Sequence, residues 1–345
     1  MRIIITCLLA LFHLIDIPYC QEYFEMSHEG QTREYYLSYP EDVTGPCPLI
    51  INMHGFGGTA NNQSISTEMD DYALPLGVAV VYPQGLGYSW NVGTWWDNNP
   101  FDDIGFIGAM IDDISNGHEI DLDRVYATGM SNGGYMTYEL ACELSHKIAA
   151  FGSVTGNFML NDGQMCNNQR ETPIIHFHGT SDLVVDYYPP SFDGALTVSE
   201  SMDHWRNVNH LYDLEIDTLF GEENELSAER FVYSRNSTNV KFVHYKIIYG
   251  GHSWFGSPYV NPSVVNASEL LVEFFLQYSL DELSCLESDG DFNLDGNITM
   301  ADYFMILGVI IQENDELSEQ FCMDMDQDGD VDVVDLIMSL DLIYE

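Results

Sequence analysis

Four short stretches of the chain carry residue types that can act together on an acyl group. Gly129-Met130-Ser131-Asn132-Gly133 is a G-x-S-x-G pattern, set between an apolar run (124–128) and a mixed segment that starts at Tyr135. A nucleophilic serine on a sharp strand-to-helix turn needs glycines two residues to either side, where a Cβ would clash. Its Oγ then stands clear, and the next backbone N–H faces the oxyanion that forms. His54-Gly55-Phe56-Gly57-Gly58 is a glycine-rich turn after another apolar run. Such a turn can aim a second N–H at the same oxygen, so the Phe56 and Asn132 N–H groups are the expected oxyanion donors. His252, in Gly250-Gly251-His252-Ser253-Trp254, is the expected general base, and Asp182, in His178-Gly179-Thr180-Ser181-Asp182, the expected acid. The base takes the serine proton, while the carboxylate fixes the imidazole tautomer and stabilises the imidazolium. Asp186 is a second candidate for the acid. His176, His178 and His244 read as packing residues of strands.

A different chemistry lies near the C-terminus. Asp291, Asn293, Asp295, Asn297 (through its backbone oxygen), Thr299 and Asp302 fall at positions 1, 3, 5, 7, 9 and 12 of a calcium loop, with Gly296 at position 6. Thirty-three residues on, Asp324, Asp326, Asp328, Asp330 (backbone), Asp332 and Asp335 repeat the pattern around Gly329. Two matches in tandem, each with its glycine in place, imply two bound Ca²⁺ ions, and each loop leads into an apolar helix-like run (303–311 and 336–343).

These groups need a frame. Apolar runs at 48–53, 78–82 (ended by Pro83), 124–128, 174–177 and 242–248 read as buried strands, and 108–114, 135–144, 199–209 and 267–278 as helices between them. Alternation of this kind implies an α/β fold, a doubly wound and mostly parallel sheet covered on both faces. Ligand sites in such sheets lie beyond the carboxyl ends of the strands, where Ser131, Asp182 and His252 all fall. Their order along the chain is the one expected of an α/β-hydrolase. The aromatic loop residues Trp90, Trp95, Trp96, Tyr187 and Tyr188 either line a cleft for a phenolic acyl group or a sugar, or pack beneath its mouth.

The motifs HGFGG, WN-x-G, DDIGFIGAMI, DRVYATGMSNGGYM, HGTSD and GGHSWFG, in that order over roughly residues 30–278, resemble the polyhydroxybutyrate depolymerase/feruloyl esterase group of secreted α/β-hydrolases. The resemblance implies Ser131 as nucleophile, Asp182 as acid and His252 as base. It also implies structural or site-shaping roles for Trp90-Asn91, Asp102-Asp103, and Trp205 with Asn209. The chain departs from the group's pattern at Asp186 and Phe255, where proline is usual. Over residues 286–344, the paired loops with Asp at position 12 resemble a type I dockerin, a small all-α calcium module. This implies a cohesin-like scaffold protein as partner. Met300-Ala301 and Val333-Val334 stand where dockerins often carry Ser or Thr for recognition, so a calcium-stabilised stalk or dimerisation module is the alternative.

Composition sets the outer bounds. The 345 residues carry 55 Asp+Glu against 10 Lys+Arg, a formal charge of −45, and 46% are hydrophobic, enough for a packed core. This acidity excludes nucleic acid or an anionic membrane as partner. Residues 281–345 hold 19 of the acids and no Lys or Arg, which marks a boundary before the calcium module. Residues 1–20, with Arg2 before an apolar run, read as a secretory signal peptide too short to span a membrane, with Cys20 as a lipoprotein cysteine the weaker reading. Export permits disulfides, for which Cys285–Cys322 and Cys142–Cys166 are the expected pairs. The expected organisation is therefore a signal peptide (1–20), a hydrolase domain (30–278) and a calcium module (286–344) in a secreted serine esterase that needs no cofactor for catalysis. The two resemblances imply feruloyl or acetyl esters of plant or algal polysaccharides as its substrates. A polyhydroxybutyrate depolymerase, a serine peptidase or acyltransferase, and a catalytically silent binding module on the same fold are the alternatives.

Overall fold

A computed structural model describes residues 21–41, 43–94, 98–159, 170–191, 194–236 and 238–283 and, in the acidic tail, 300, 303–304, 306–307, 310 and 333–344. Ten strands form one sheet in the order β1-β2-β4-β3-β5-β6-β7-β10-β9-β8. The six central strands run parallel: β4 (Ala79–Gln84), β3 (Cys47–Met53), β5 (Ile120–Met130), β6 (Ala150–Val154), β7 (Ile174–Gly179) and β10 (Phe242–Ile247). Their carboxyl ends therefore share one edge of the sheet. An antiparallel hairpin flanks each side, β1 (Gln21–His28) with β2 (Gln31–Ser38), and β8 (Asp213–Leu219) with β9 (Ala228–Ser234). The hydrolase domain expected from residue 30 thus has a strand ahead of that point, in the same sheet.

Helices cover both faces. α1 (Ala60–Thr67), α2 (Met69–Ala73) and α6 (Ala267–Phe275) contribute Ala60, Met69 and Leu271 to one core layer. α3 (Asp103–Gly117), α4 (Asn132–Glu143) and α5 (Val198–Val208) contribute Phe106, Tyr138 and Trp205 to the other. Asp102 caps α3 by accepting the Gly105 N–H at 2.9 Å. Asp103 behind it forms a buried ion pair with Arg33 at 2.6 Å and accepts the Asn91 N–H at 2.8 Å. On α5, the Asn209 side chain that follows the helix receives the Thr172 N–H and donates to the Thr172 oxygen, which fixes the entry to β7.

Some expected bounds shift. β4 does not stop at Pro83 but continues through it to Gln84. By then β3 has ended its pairing, at Val81, so the missing proline N–H leaves no ladder bond unmade on that side. β8 is exposed along nearly its whole length, with Asp213, Glu215 and Asp217 alternating with Leu214 and Ile216 at this margin of the sheet. Cys142 is disulfide-bonded, and Cys47 is buried with a free thiol. Cys166, Cys285, Cys322, Trp95, Trp96, residues 1–20 and every expected calcium ligand except Asp335 lie outside the described residues. Among the described residues, no helix is long and apolar enough to cross a membrane.

Candidate active site

Ser131 sits at the junction of β5 and α4 with φ 54 and ψ −119, a conformation that a non-glycine residue adopts only when its surroundings impose it. The surroundings are visible. A Cβ on Gly133 would lie 2.4 Å from the Met53 oxygen, and one on Gly129 would lie 2.4 Å from the Gly133 oxygen. The end of β3 therefore presses directly against the turn, and both glycines are needed for that approach. The Ser131 N–H is held by the Val154 oxygen at the end of β6, at 2.8 Å.

The glycine-rich turn after β3 reaches the serine. A Cβ built on Gly55 would stand 3.3 Å from the Ser131 Cβ and 3.9 Å from its Oγ. Buried His54 braces this turn through Nδ1, which donates to the Gly55 oxygen at 2.8 Å, and Nε2, which accepts the Gly85 N–H at 3.0 Å. Burial pulls its imidazole down to about 4, so it is neutral and structural at neutral pH. Trp90 ties the turn to the serine elbow. Its indole N–H donates to the His54 oxygen at 2.8 Å. Its backbone N–H donates to Asn132 Oδ1 at 2.7 Å, and its oxygen accepts from Asn132 Nδ2 at 3.0 Å. The two segments expected to supply oxyanion donors, at Phe56 and Asn132, are thus bridged by one buried tryptophan. Phe56 is exposed and Asn132 buried at the first turn of α4, where helix N–H groups lack intrahelical acceptors.

Asp182 follows β7 and His252 follows β10, two neighbouring strands on the Ser131 side of the sheet. His252 Nδ1 lies 2.8 Å from Asp182 Oδ2. Asp182 Oδ1 accepts the N–H groups of Val184 and Val185, each at 2.9 Å. Burial pushes the Asp182 carboxyl up, but hydrogen bonds from His178 and His252 outweigh it and hold the group well below the usual carboxylate range. With Nδ1 donating to this carboxylate, Nε2 of a neutral His252 carries the lone pair. Asp186, the second candidate acid, does not take this contact. The two loops are fastened together. The Ser181 N–H donates to the Gly250 oxygen at 2.8 Å, the Tyr249 N–H donates to Thr180 Oγ1 at 2.8 Å, and a Cβ on Gly179 would meet the Gly250 oxygen at 2.2 Å.

Of the aromatic loop residues, Trp90 is a buried brace rather than a cleft wall. Tyr187 packs on His178 and His244, and Tyr188 is exposed. A groove of about 490 Å³ adjoins the glycine-rich turn, lined by Tyr36, Thr59, Asn61, Gln84 and Tyr88 among others. The Gly57 N–H donates to the Tyr88 oxygen at 2.7 Å, so the groove wall hangs from the turn beside the serine. Sequence reasoning did not find this groove, because Thr32, Glu34 and Tyr36 come from β2, whose mixed composition gives no strand signal.

A family profile described as Phospholipase/Carboxylesterase matches residues 102–195. A bifunctional acetylxylan esterase/xylanase of Neocallimastix patriciarum is 28% identical over 227 residues, 65% of this chain and 31% of that protein. Feruloyl esterase B of Piromyces equi is 32% identical over 163 residues, 45% of this chain and 30% of that protein. The chain thus spans less than a third of the length of either relative. An acetyl xylan esterase from Aspergillus awamori superposes with a TM-score of 0.51 at 15% identity, covering 67% of this chain and 94% of that one. The fold is that of an α/β-hydrolase. The family profile, the two relatives and the superposed structure all carry esterase names, and the profile's residues 102–195 include Ser131 and Asp182.

Proposed function

We propose that this protein is a serine carboxylic-ester hydrolase in which Ser131, His252 and Asp182 form the catalytic triad. The observation that carries the reading is the Asp182–His252 pair, set at the same edge of the parallel sheet as a serine held at positive φ. Ser131 Oγ attacks the carbonyl carbon while His252 Nε2 takes its proton. The N–H groups of Phe56 and Asn132 receive the negative charge on the carbonyl oxygen. Collapse releases the alcohol, protonated by His252, and water activated by the same imidazole then frees the acid from the acyl-enzyme.

The substrates are acetyl or feruloyl esters of plant or algal polysaccharides. The names of the relatives support this class. So does the groove beside the turn, where tyrosine rings stand among hydroxyl and amide groups suited to a sugar. The protein is exported, its signal peptide being residues 1–20. The acidic tail binds two Ca²⁺ ions and docks on a cohesin-like scaffold. Asp335, the last ligand of the second loop, fits the metal. It is a carboxylate buried in the first turn of the helix Val333–Tyr344. Val333, Val334, Ile337 and Met338 are exposed on the same helix, as a docking face would be.

One hydrolysis panel tests the enzyme: methyl ferulate, acetylated xylan and a hydroxybutyrate oligomer, with wild type and Ser131→Ala. Turnover of the first or second by wild type, with less than about 1% left in the variant, is expected. Turnover of the oligomer alone reassigns the substrate, and failure of wild type to react with a fluorophosphonate removes the triad. Equilibrium dialysis of the full-length protein against calcium is expected to read two ions per chain, and none would remove the metal module.

A further inference from the structure

Behind Asp182 lies a row of polar groups that the proposed reaction does not use. Tyr138 on α4 and His176 and His178 on β7 are all fully buried. The Tyr138 hydroxyl is 2.5 Å from His176 Nδ1, and His176 Nε2 is 3.1 Å from His178 Nδ1. His178 Nε2 is 2.8 Å from the Val185 oxygen and 3.4 Å from Asp182 Oδ2. Imidazoles and a phenol withdrawn from water are costly unless every partner is met, and apolar side chains would fill the same space without that cost.

The far end of the row fixes its sense. A carbonyl and a carboxylate can only accept, so His178 Nε2 carries a proton. Nδ1 of a neutral His178 then accepts, so His176 Nε2 donates to it. Burial holds the His176 imidazole well below its ordinary range, so that ring is neutral. Its Nδ1 must therefore accept from the Tyr138 hydroxyl. We propose that Tyr138, His176 and His178 form a one-way hydrogen-bond chain that ends on the Val185 oxygen and holds the His178 Nε2–H against Asp182 Oδ2, which makes His178 a positioning residue for the Asp182–His252 pair. The proposal rests on the triad reading given above. Asp182 Oδ1 is held by two backbone N–H groups, and Oδ2 is bonded to His252 with His178 Nε2 standing 3.4 Å away. The extra donor keeps the carboxylate ionised and its plane turned toward the base.

The groups that face this row are few. Tyr187, from the loop after β7, meets His178 edge-on at 5.7 Å, and its hydroxyl reaches His244 Nε2 at 3.0 Å. His244 on β10 faces His176 at 5.2 Å, and burial pulls it down to about 3. Lys246, farther along β10, is paired with Glu229 at 2.7 Å. Among the described residues, the formal charge that touches His178 is that of Asp182.

Two measurements test the chain. In wild type, ¹⁵N-resolved histidine spectra at neutral pH are expected to show the Nε2–H tautomer for both His176 and His178. A doubly protonated or Nδ1–H His178 overturns the proposal whatever the enzyme's activity. In kinetics, His178→Leu is expected to lower kcat by about 10- to 100-fold, the worth of a hydrogen bond to a charged group, with KM within about twofold. The acid limb of kcat/KM moves to higher pH, because a carboxylate stripped of a donor binds the His252 imidazolium more strongly. His178→Gln, which can again donate toward Oδ2, is expected to restore most of the rate and return the limb. A uniform loss with an unmoved limb, or no rescue by glutamine, overturns the proposal. An inactive wild type, or an active Ser131→Ala, refutes the triad instead and leaves the tautomer result to decide the chain.

Discussion

Gly133→Ala probes the closest approach in the site. The added Cβ would sit 2.4 Å from the Met53 oxygen and 2.7 Å from the His54 oxygen, whereas real Cβ contacts essentially never fall below 3.0 Å. The shortfall is at least 0.6 Å (3.0 − 2.4). Both obstacles are backbone atoms that cannot rotate away, so the elbow and the end of β3 must part. Overpacking of this kind costs about 1–3 kcal/mol, and each kcal/mol lowers Tm by about 2–4 °C in a domain of this size. The separation also draws Ser131 away from the turn that holds Phe56. A misplacement of about 1 Å costs roughly 100-fold in rate, so a loss of at least tenfold in kcat is expected here. Gly108→Ala is the matched control. It lies inside α3, and its nearest obstacle is Leu144 Cδ1 at 3.8 Å, an ordinary contact. That change is expected to raise stability by about 0.5–1 kcal/mol without touching turnover. Calorimetric Tm and ester hydrolysis on the two variants suffice. A Gly133→Ala protein with wild-type Tm and kcat would refute the reasoning, as would two variants that shift Tm in the same direction.

Two more outcomes follow from buried charge. Arg33→Met leaves Asp103 buried without its cation and is expected to cost about 3–5 kcal/mol in urea unfolding, much of it regained in the Arg33→Met/Asp103→Leu double variant; a single variant as stable as wild type would contradict this. Stability should rise with pH between about 4 and about 6.5 and level off above. His54 and His244 remain neutral in the folded protein over that window, near 4 and 3, while the unfolded chain takes up protons on them. Each contributes up to about 1.4 kcal/mol per pH unit there. Asp182 acts in the other range: its depressed carboxyl adds stability that is present above the usual carboxylate range and is lost as pH falls through it. A urea midpoint that does not change between pH 4.5 and 7 would defeat the histidine argument.

The central strands were legible because burial on both faces writes them as unbroken apolar runs, as in β3 and β4. The margins were not. β1, β2, β8 and β9 are covered on one side or neither, so QEYFEMSH and DLEIDTL mix charges with apolar residues and show no apolar run, although DLEIDTL alternates. β6 escaped notice for another reason. Its Gly152 is a residue that strands usually avoid, yet a Cβ there would meet Leu271 Cδ2 at 2.1 Å, so α6 packs closely over it. The residues of the proposed triad stood out because each follows a strand within a glycine motif. The row behind Asp182 did not: His176 and His178 look like core packing until β10 and α4 are placed around them. A signal was present all the same, since histidines two apart on a strand point to one face, and Asp182 stands four residues after the second.

The exposed β8 strand gives part of the chain's acidity a task. An edge strand offers unpaired backbone groups to any other edge, and the exposed Leu214 and Ile216 would welcome such a neighbour. Asp213, Glu215 and Asp217 stand on the opposite face of the same strand, so two copies brought edge to edge would set carboxylate against carboxylate. Without those carboxylates, folded molecules would gain a route to stacking through their sheets.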